Sequence, residues 1–195
     1  LALGKLGGYG IIHRNMAVEQ QADQLAWVLK QKISCGVAVG VGTDFEARVT
    51  ALVKAGAKEI CVDSSHGHTK HVGEATSWIK NKFPQVEVIS GNVATFAGAE
   101  FLFKKGAAAV KVGMGPGSIC TTRIMSGMGV PQLSAVIDCV RAAKKYKGKI
   151  IADGGIKTSG DIVKALAAGA DAVMLGSLLA GTDEAPGQVV KIKGK

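Results

Sequence analysis

The sequence predicts an α/β chain of the (β/α)8 TIM-barrel class, here an incomplete barrel, and three observations predict it. Seven short β-rich runs recur along the 195 residues. Each is a mostly continuous apolar run that typically ends in Gly, Ser, Asp or Asn, as strands buried on both faces of a parallel sheet do. Helical patterns separate most of these runs. Three of the helices end alike, in "KAGAKEICV", "KKGAAAVKV" and "AAGADAVML". There Gly56, Gly106 and Gly169 supply the left-handed cap that turns the chain back towards a strand. Repeated βα units with right-handed crossovers leave two architectures, an open doubly wound sheet or a closed barrel. The doubly wound sheet is the weaker one, because no GxGxxG opening follows the first strand. A barrel usually takes ~250 residues. Seven strands then imply that the first βα unit and the region after strand eight are absent from this chain.

The elements follow in order. "LALGKLGG" (1–8) reads as the end of a helix, and "YGIIH" (9–13) as the first strand. In "VLKQKISCG" (28–36) a helix runs into a strand with little turn chemistry, as if an insertion had been removed near 30–35. "GVAVGVG" (36–42) is the second strand. In "DFEARVTALVKAGA" the residues Phe45, Val49, Leu52 and Val53 form one apolar stripe, with Asp44 placed to cap the start. "EICVDSS" (59–65), "VEVISGN" (86–92) and "AVKVGMG" (109–115) are the next three strands. In "PQLSAVIDCVRAAKKY" Pro131 suits a first helical turn, and Leu133, Val136, Ile137 and Val140 are expected to face inward. "KIIADGG" (149–155) and "AVMLGS" (172–177) complete the set.

Composition narrows the classes of function. The formal charge of +9 makes anionic partners plausible, phosphorylated small molecules among them. The densest basic runs, "AAKKYKGK" and the terminal "KIKGK", lack interleaved aromatic residues and match no nucleic-acid motif. Nucleic acid is therefore not expected as the primary partner, and these runs read as solvated faces. The four cysteines form no CxxC pair and give neither a zinc template nor a disulfide framework. Free thiols point to a reducing compartment, so a cytoplasmic protein is expected. No stretch approaches ~18 uninterrupted apolar residues, and no membrane span is expected. The first residues lack a basic n-region and a cleavage site, and nothing suggests secretion.

In a parallel barrel the functional groups lie on the loops after the carboxyl ends of the strands. Cys35 and Cys61 lie within apolar runs and read as core thiols, while Cys139 lies in a helix with no activating neighbour in sequence. Cys120 differs, because "GPGS" precedes it and "TTR" follows. Arg123 and exposed backbone N–H groups there would lower its pKa towards the reactive thiolate. A buried thiol beside a turn is the plainer alternative. The glycine-rich loops after the last two strands, "DGGIKTSGD" and "GSLLAGT", suit a phosphate, with a helix start near Gly160. Asp153 beside a phosphate makes more sense as an acceptor for ribose hydroxyls than as a repelling charge, although a turn role also explains it. In "DSSHGH" (63–68) Asp63 is either an acceptor for a hydroxyl or cofactor, or an Asx turn. His66 and His68 lack a third ligand at usual metal spacing.

The motifs "KVGMGPGSICTTR" (111–123), "DSSHGH", "GNVAT" (91–95), "IADGGIKTSGDIVKALAAGADAVMLGS" (151–177) and "GIIHRNM" (10–16) resemble the inosine monophosphate dehydrogenase and guanosine monophosphate reductase family over nearly the whole chain. The resemblance implies that Cys120 attacks C2 of a purine nucleoside monophosphate, with Thr122 assisting proton transfer. It implies substrate contacts from Ser118, Asp153, Gly155, Gly176 and Ser177, with Asp153 on the ribose and the others on the phosphate. Asp63, Ser64, Asn92 and Gly113 correspond to the nicotinamide cofactor side. The carbonyls of Gly115, Gly117 and Cys120 correspond to a potassium site completed by a neighbouring subunit, so a homotetramer is implied. NAD-dependent oxidation of inosine monophosphate to xanthosine monophosphate is the expected reaction. NADPH-dependent reductive deamination of guanosine monophosphate is the alternative, and a nucleotide-binding scaffold without catalysis is the second. The resemblance also implies a CBS-domain insertion near 30–35 and a mobile flap beyond Lys195. Without the flap's residues the chain alone is expected not to turn over.

Overall fold

A computed structural model of the chain describes residues 1–187; the terminal "KIKGK" lies outside them. Seven strands alternate with helices: α1 (Ala2–Lys5), β1 (Gly10–Ile12), α2 (Val18–Lys30), β2 (Cys35–Val39), α3 (Phe45–Lys54), β3 (Glu59–Asp63), α4 (Lys70–Lys82), β4 (Glu87–Val93), α5 (Phe96–Lys104), β5 (Ala109–Val112), α6 (Thr122–Ser126), α7 (Gln132–Tyr146), β6 (Lys149–Asp153), α8 (Ser159–Ala167) and β7 (Ala172–Met174). All seven strands are parallel, and they stand in the sheet in chain order from β1 to β7. A doubly wound sheet reverses its strand order at a switch point. This one never does, and it curls as an incomplete (β/α) barrel.

Alternation along the strands builds the two faces, because successive side chains point to opposite sides. Val37 and Val39, Ile60 and Val62, Val88, Val110 and Val112, and Ile150 are buried in the core. They meet Leu25, Leu52, Val72, Ile79, Leu102, Val136 and Cys139 from the helices. The intervening residues, Ala38, Cys61, Asp63, Ile89, Lys111, Ile151 and Asp153, line a cavity on the concave face. Among the described residues the wholly buried polar side chains are paired. Thr76 of α4 and Ser90 of β4 share a hydrogen bond of 2.8 Å. Arg48 is buried and donates to Gln21, to Asp44 and to the carbonyl of Met16.

The three glycine-ended helices close in the same way. Gly56, Gly106 and Gly169 have φ of +105°, +97° and +102°. The amides of Ala57, Ala107 and Ala170 reach back to the carbonyls of Leu52, Leu102 and Ala165. This is the Schellman arrangement. At the other end, Thr69, Thr95 and Thr158 cap α4, α5 and α8 through their hydroxyls.

Two expectations are corrected. Asp44 precedes α3 but does not cap it through its side chain; its carboxylate takes the Nε–H of Arg48 at 2.8 Å. Leu133 and Ile137 of α7 are 44% and 50% exposed. Val136 and Val140 are buried as expected, and Ala135, Cys139, Ala142 and Ala143 complete the buried face of α7, small residues that let it lie close to α5. Among the described residues no helix is long and apolar enough to cross a membrane.

Candidate functional site

A cavity of about 890 Å³ opens at the carboxyl ends of the strands, and residues of all seven strands line it. At its centre Lys111 is 4% exposed. Its ammonium lies 2.8 Å from Asp63 Oδ1 and 2.6 Å from Asp153 Oδ2, and it also donates to Asn92 Oδ1. The sheet register explains the reach. Asp63, Gly91 and Lys111 stand side by side on β3, β4 and β5. The middle residue has no side chain, and a Cβ on Gly91 would lie 2.7 Å from the Cβ of Lys111. Burial opposes the charge on Lys111, but the carboxylates of Asp153 and then Asp63 outweigh it and hold its pKa above the usual lysine value.

The pairing register between β4 and β5 shifts between Gly91 and Val93. Such a break re-aims a side chain, and here Asn92 turns into the cavity. Its amide donates to the carbonyl of Gly113 at 2.9 Å and to Asp153 Oδ2 at 2.8 Å. Asn92 therefore spends its polar atoms inside the protein. Asp63 is half-exposed, with one oxygen on Lys111. The Ser64 hydroxyl lies 3.3 Å from the amide and the carbonyl of His66.

The cysteine loop leaves β5 at Gly113, which has φ of +150°. A Cβ there would overlap the Asp153 carbonyl, so only glycine passes. Gly115 turns at φ +79°, and the carbonyl of Gly117 accepts the amide of Cys120 at 3.1 Å. The loop thereby brings Cys120 and Thr122 to the cavity wall together with Gly113 and Gly115. The hydroxyl of Thr122, then its amide, stabilise the thiolate and hold Cys120 below the usual cysteine range; Gly115 adds less and Arg123 least. Arg123 and the backbone N–H groups thus act in the expected direction, and the guanidinium also braces the loop by donating to the carbonyls of Met114 and Val130. The other thiols are buried and shifted the opposite way. Burial pushes Cys61 and Cys139 up to about 12 and raises Cys35 as well.

Not every expected residue meets at the cavity. Cys120, Thr122, Asp153, Asp63, Ser64, Asn92, Gly113 and Gly115 line it, whereas Ser118, Gly117, Gly155, Gly176 and Ser177 do not. Ser118, Gly155, Gly176 and Ser177 are exposed on the loops after β5, β6 and β7. The cysteine loop packs on the "DGG" turn. A Cβ on Gly154 would lie 2.9 Å from Pro116, and one on Gly155 would lie 3.2 Å from it. His66 is exposed, and His68 packs its ring 4.9 Å from that of Phe101. Sequence reasoning missed Lys111 and Gln132. A lysine inside "AVKV" was the available signal, since a charge between buried valines needs partners. Gln132 carried no signal beyond its place after a proline.

The whole of residues 1–195 matches the IMP dehydrogenase / GMP reductase domain family. The chain is 58% identical over 164 residues to inosine-5'-monophosphate dehydrogenase of Aquifex aeolicus, covering 84% of this chain and 34% of that protein. It is 54% identical over 164 residues to the protein of that name in Staphylococcus saprophyticus, with 84% and 34% covered. It is 54% identical over 185 residues to the one in Chlorobaculum parvum, with 95% and 37% covered. The chain thus spans about a third of the length of these relatives.

Proposed function

The chain belongs to the IMP dehydrogenase / GMP reductase family, and we propose that within its full-length protein it oxidises inosine 5′-monophosphate to xanthosine 5′-monophosphate through Cys120. The observation that carries this is a partly buried thiol with a lowered pKa on the wall of the cavity that also holds Asp153. The Cys120 thiolate adds to C2 of the purine and forms a C2–S bond. NAD, when bound, accepts the hydrogen and electron pair that leave C2. The product on the enzyme is a thioimidate. Water then adds at C2, the C2–S bond breaks, and one proton is released with xanthosine monophosphate and free Cys120. Thr122 serves twice, since it stabilises the thiolate and stands where the proton of the incoming water leaves.

Asp153 holds the ribose hydroxyls, with Lys111 and Asn92 fixing its carboxylate. Ser118, Gly155, Gly176 and Ser177 offer backbone and hydroxyl donors to the phosphate on the rim. The residues assigned to NAD fit it in different ways. Asp63 keeps an oxygen for a hydroxyl, Ser64 stands beside it, and Gly113 puts its backbone on the cavity wall. Asn92 acts through Gly113 and Asp153. The carbonyls of Gly115, Gly117 and Cys120 are hard oxygen donors of the kind potassium takes. That of Gly117 is already pinned by the amide of Cys120. Bound there, potassium would stiffen the loop, with a neighbouring copy in a homotetramer completing its shell. The apolar side chains of Ile119, Ile124 and Met125, 96%, 82% and 81% exposed, support a covered loop.

The relatives' shared name favours oxidation over the reductive deamination of guanosine monophosphate. The test offers the full-length protein inosine monophosphate with NAD, or guanosine monophosphate with NADPH, and follows the reduced nicotinamide. Faster turnover of the first pair is expected. Faster turnover of the second would reverse the assignment.

A further inference from the structure

Gln132, the first residue of α7, joins two strands to which it does not belong. Its side-chain amide donates to the carbonyl of Val112 at 2.8 Å and to that of Asp153 at 3.2 Å. Val112 is the last residue of β5 and leads directly into the cysteine loop; Asp153 is the last residue of β6. The side-chain carbonyl of Gln132 is buried and has no hydrogen-bond partner among the described residues. A buried acceptor left unpaired is a cost to folding, and an apolar side chain of the same shape would avoid it. What the glutamine contributes is its nitrogen, which holds both strand ends.

The two strand ends it joins are in close contact. A Cβ on Gly113 would overlap the Asp153 carbonyl and lie 3.0 Å from the unpaired oxygen of Gln132. One on Gly154 would lie 3.1 Å from the amide nitrogen of Gly117. The span from the thiol to the carboxylate is therefore set by how these two ends are fastened. Beyond the ladder pairing of β5 with β6, among the described residues the side chain of Gln132 alone bridges their main chains.

We propose that Gln132 is a positioning residue that fixes the spacing between Cys120 and Asp153, so that the thiolate meets the ring carbon of a nucleotide whose ribose Asp153 holds. It rests on the function proposed above and adds a residue that touches neither substrate nor cofactor. A misplacement of about 1 Å at a reacting centre costs on the order of 10²-fold in rate. Binding, by contrast, depends on Asp153 and the phosphate rim and changes little.

The test compares two reactions of Cys120 in full-length wild-type and Gln132→Met protein. Iodoacetamide needs no positioning and reports thiol reactivity alone. The 5′-monophosphate of 2-chloropurine ribonucleoside needs positioning but no cofactor. The thiolate forms a C2–S bond with it and chloride leaves. Gln132→Met is expected to keep the iodoacetamide rate within about twofold. Its limiting rate with the chloropurine nucleotide should fall at least tenfold, with less than a threefold change in the half-saturating concentration. Gln132→Asn, which keeps the amide on a shorter arm, is expected to show the same split and serves if the methionine variant does not fold. Equal loss of both rates, or no loss of either, overturns the positioning role. A wild-type protein that reacts with iodoacetamide but not with the nucleotide overturns the proposed function itself.

Discussion

At the scale of single residues, the chemistry turns on how neighbours set the state of one thiol and one ammonium. Thr122 is the main cause of the lowered Cys120 pKa. Thr122→Val should therefore move the midpoint of the pH–alkylation curve of Cys120 upward, while Arg123→Gln moves it less. Measured with iodoacetamide over a range of pH, a larger shift from the arginine variant would reverse that ranking. The sign follows from the thiolate being the reactive form, so reactivity is lost as pH falls through the thiol pKa and is lost earlier when that pKa is higher. Lys111 is the other test. Lys111→Met leaves two carboxylates facing each other across a cavity wall without their cation. Removing one partner of a wholly buried pair costs about 3–5 kcal/mol. Asp63 is half-exposed, so about 2 kcal/mol is expected, or a fall in Tm of about 4–8 °C for a domain of this size. No change in Tm would show that the pair does not hold the strands together. Cys120 was legible because a thiol among glycines after a strand is unusual in sequence terms. Lys111 was not, because its partners come from β3 and β6, far away in the chain.

At the scale of elements, glycine decides where helices end and where strands approach. Gly56→Ala forces φ of +105° on a residue with a Cβ and presses it to 3.0 Å from Leu29. A loss of about 1–2 kcal/mol is expected, with a Tm lower by about 2–8 °C. Gly10→Ala is the control, since nothing lies within 4 Å of a Cβ there, and unfolding of both by circular dichroism should separate them. Equal Tm values would contradict the cap. The strand runs and the three glycine caps were readable because they are local: periodicity and a left-handed turn need no knowledge of distant residues. The inward face of α7 was readable only in part, at Val136 and Val140, for the opposite reason. Leu133 and Ile137 fit an apolar stripe, yet the close approach of α5 selects the alanine and cysteine face of α7 and leaves the larger residues outside. Asp44 likewise stands where a cap belongs, but the buried guanidinium of Arg48 competes for its carboxylate and wins.

At the scale of the whole molecule, seven parallel strands in chain order form a curved sheet whose concave face is one cavity. Cys120, Thr122, Asp153, Asp63, Ser64, Asn92, Gly113 and Gly115, far apart in the chain, come together on its wall, whereas Gly117, Ser118, Gly155, Gly176 and Ser177 do not line it. Strand order could not be read from the runs themselves, since a doubly wound sheet and a barrel share the same βα units; pairing in chain order settles it. Cys120 is proposed to form the bond to the nucleotide, and a chemical quench can trap that bond. Full-length protein turning over inosine monophosphate and NAD is denatured in acid, digested, and the peptides weighed by mass spectrometry. The predicted result is a purine nucleotide adduct on the peptide carrying Cys120, absent from Cys120→Ala, which also produces no NADH. An adduct on Cys35, Cys61 or Cys139, or undiminished NADH production by Cys120→Ala, would contradict it.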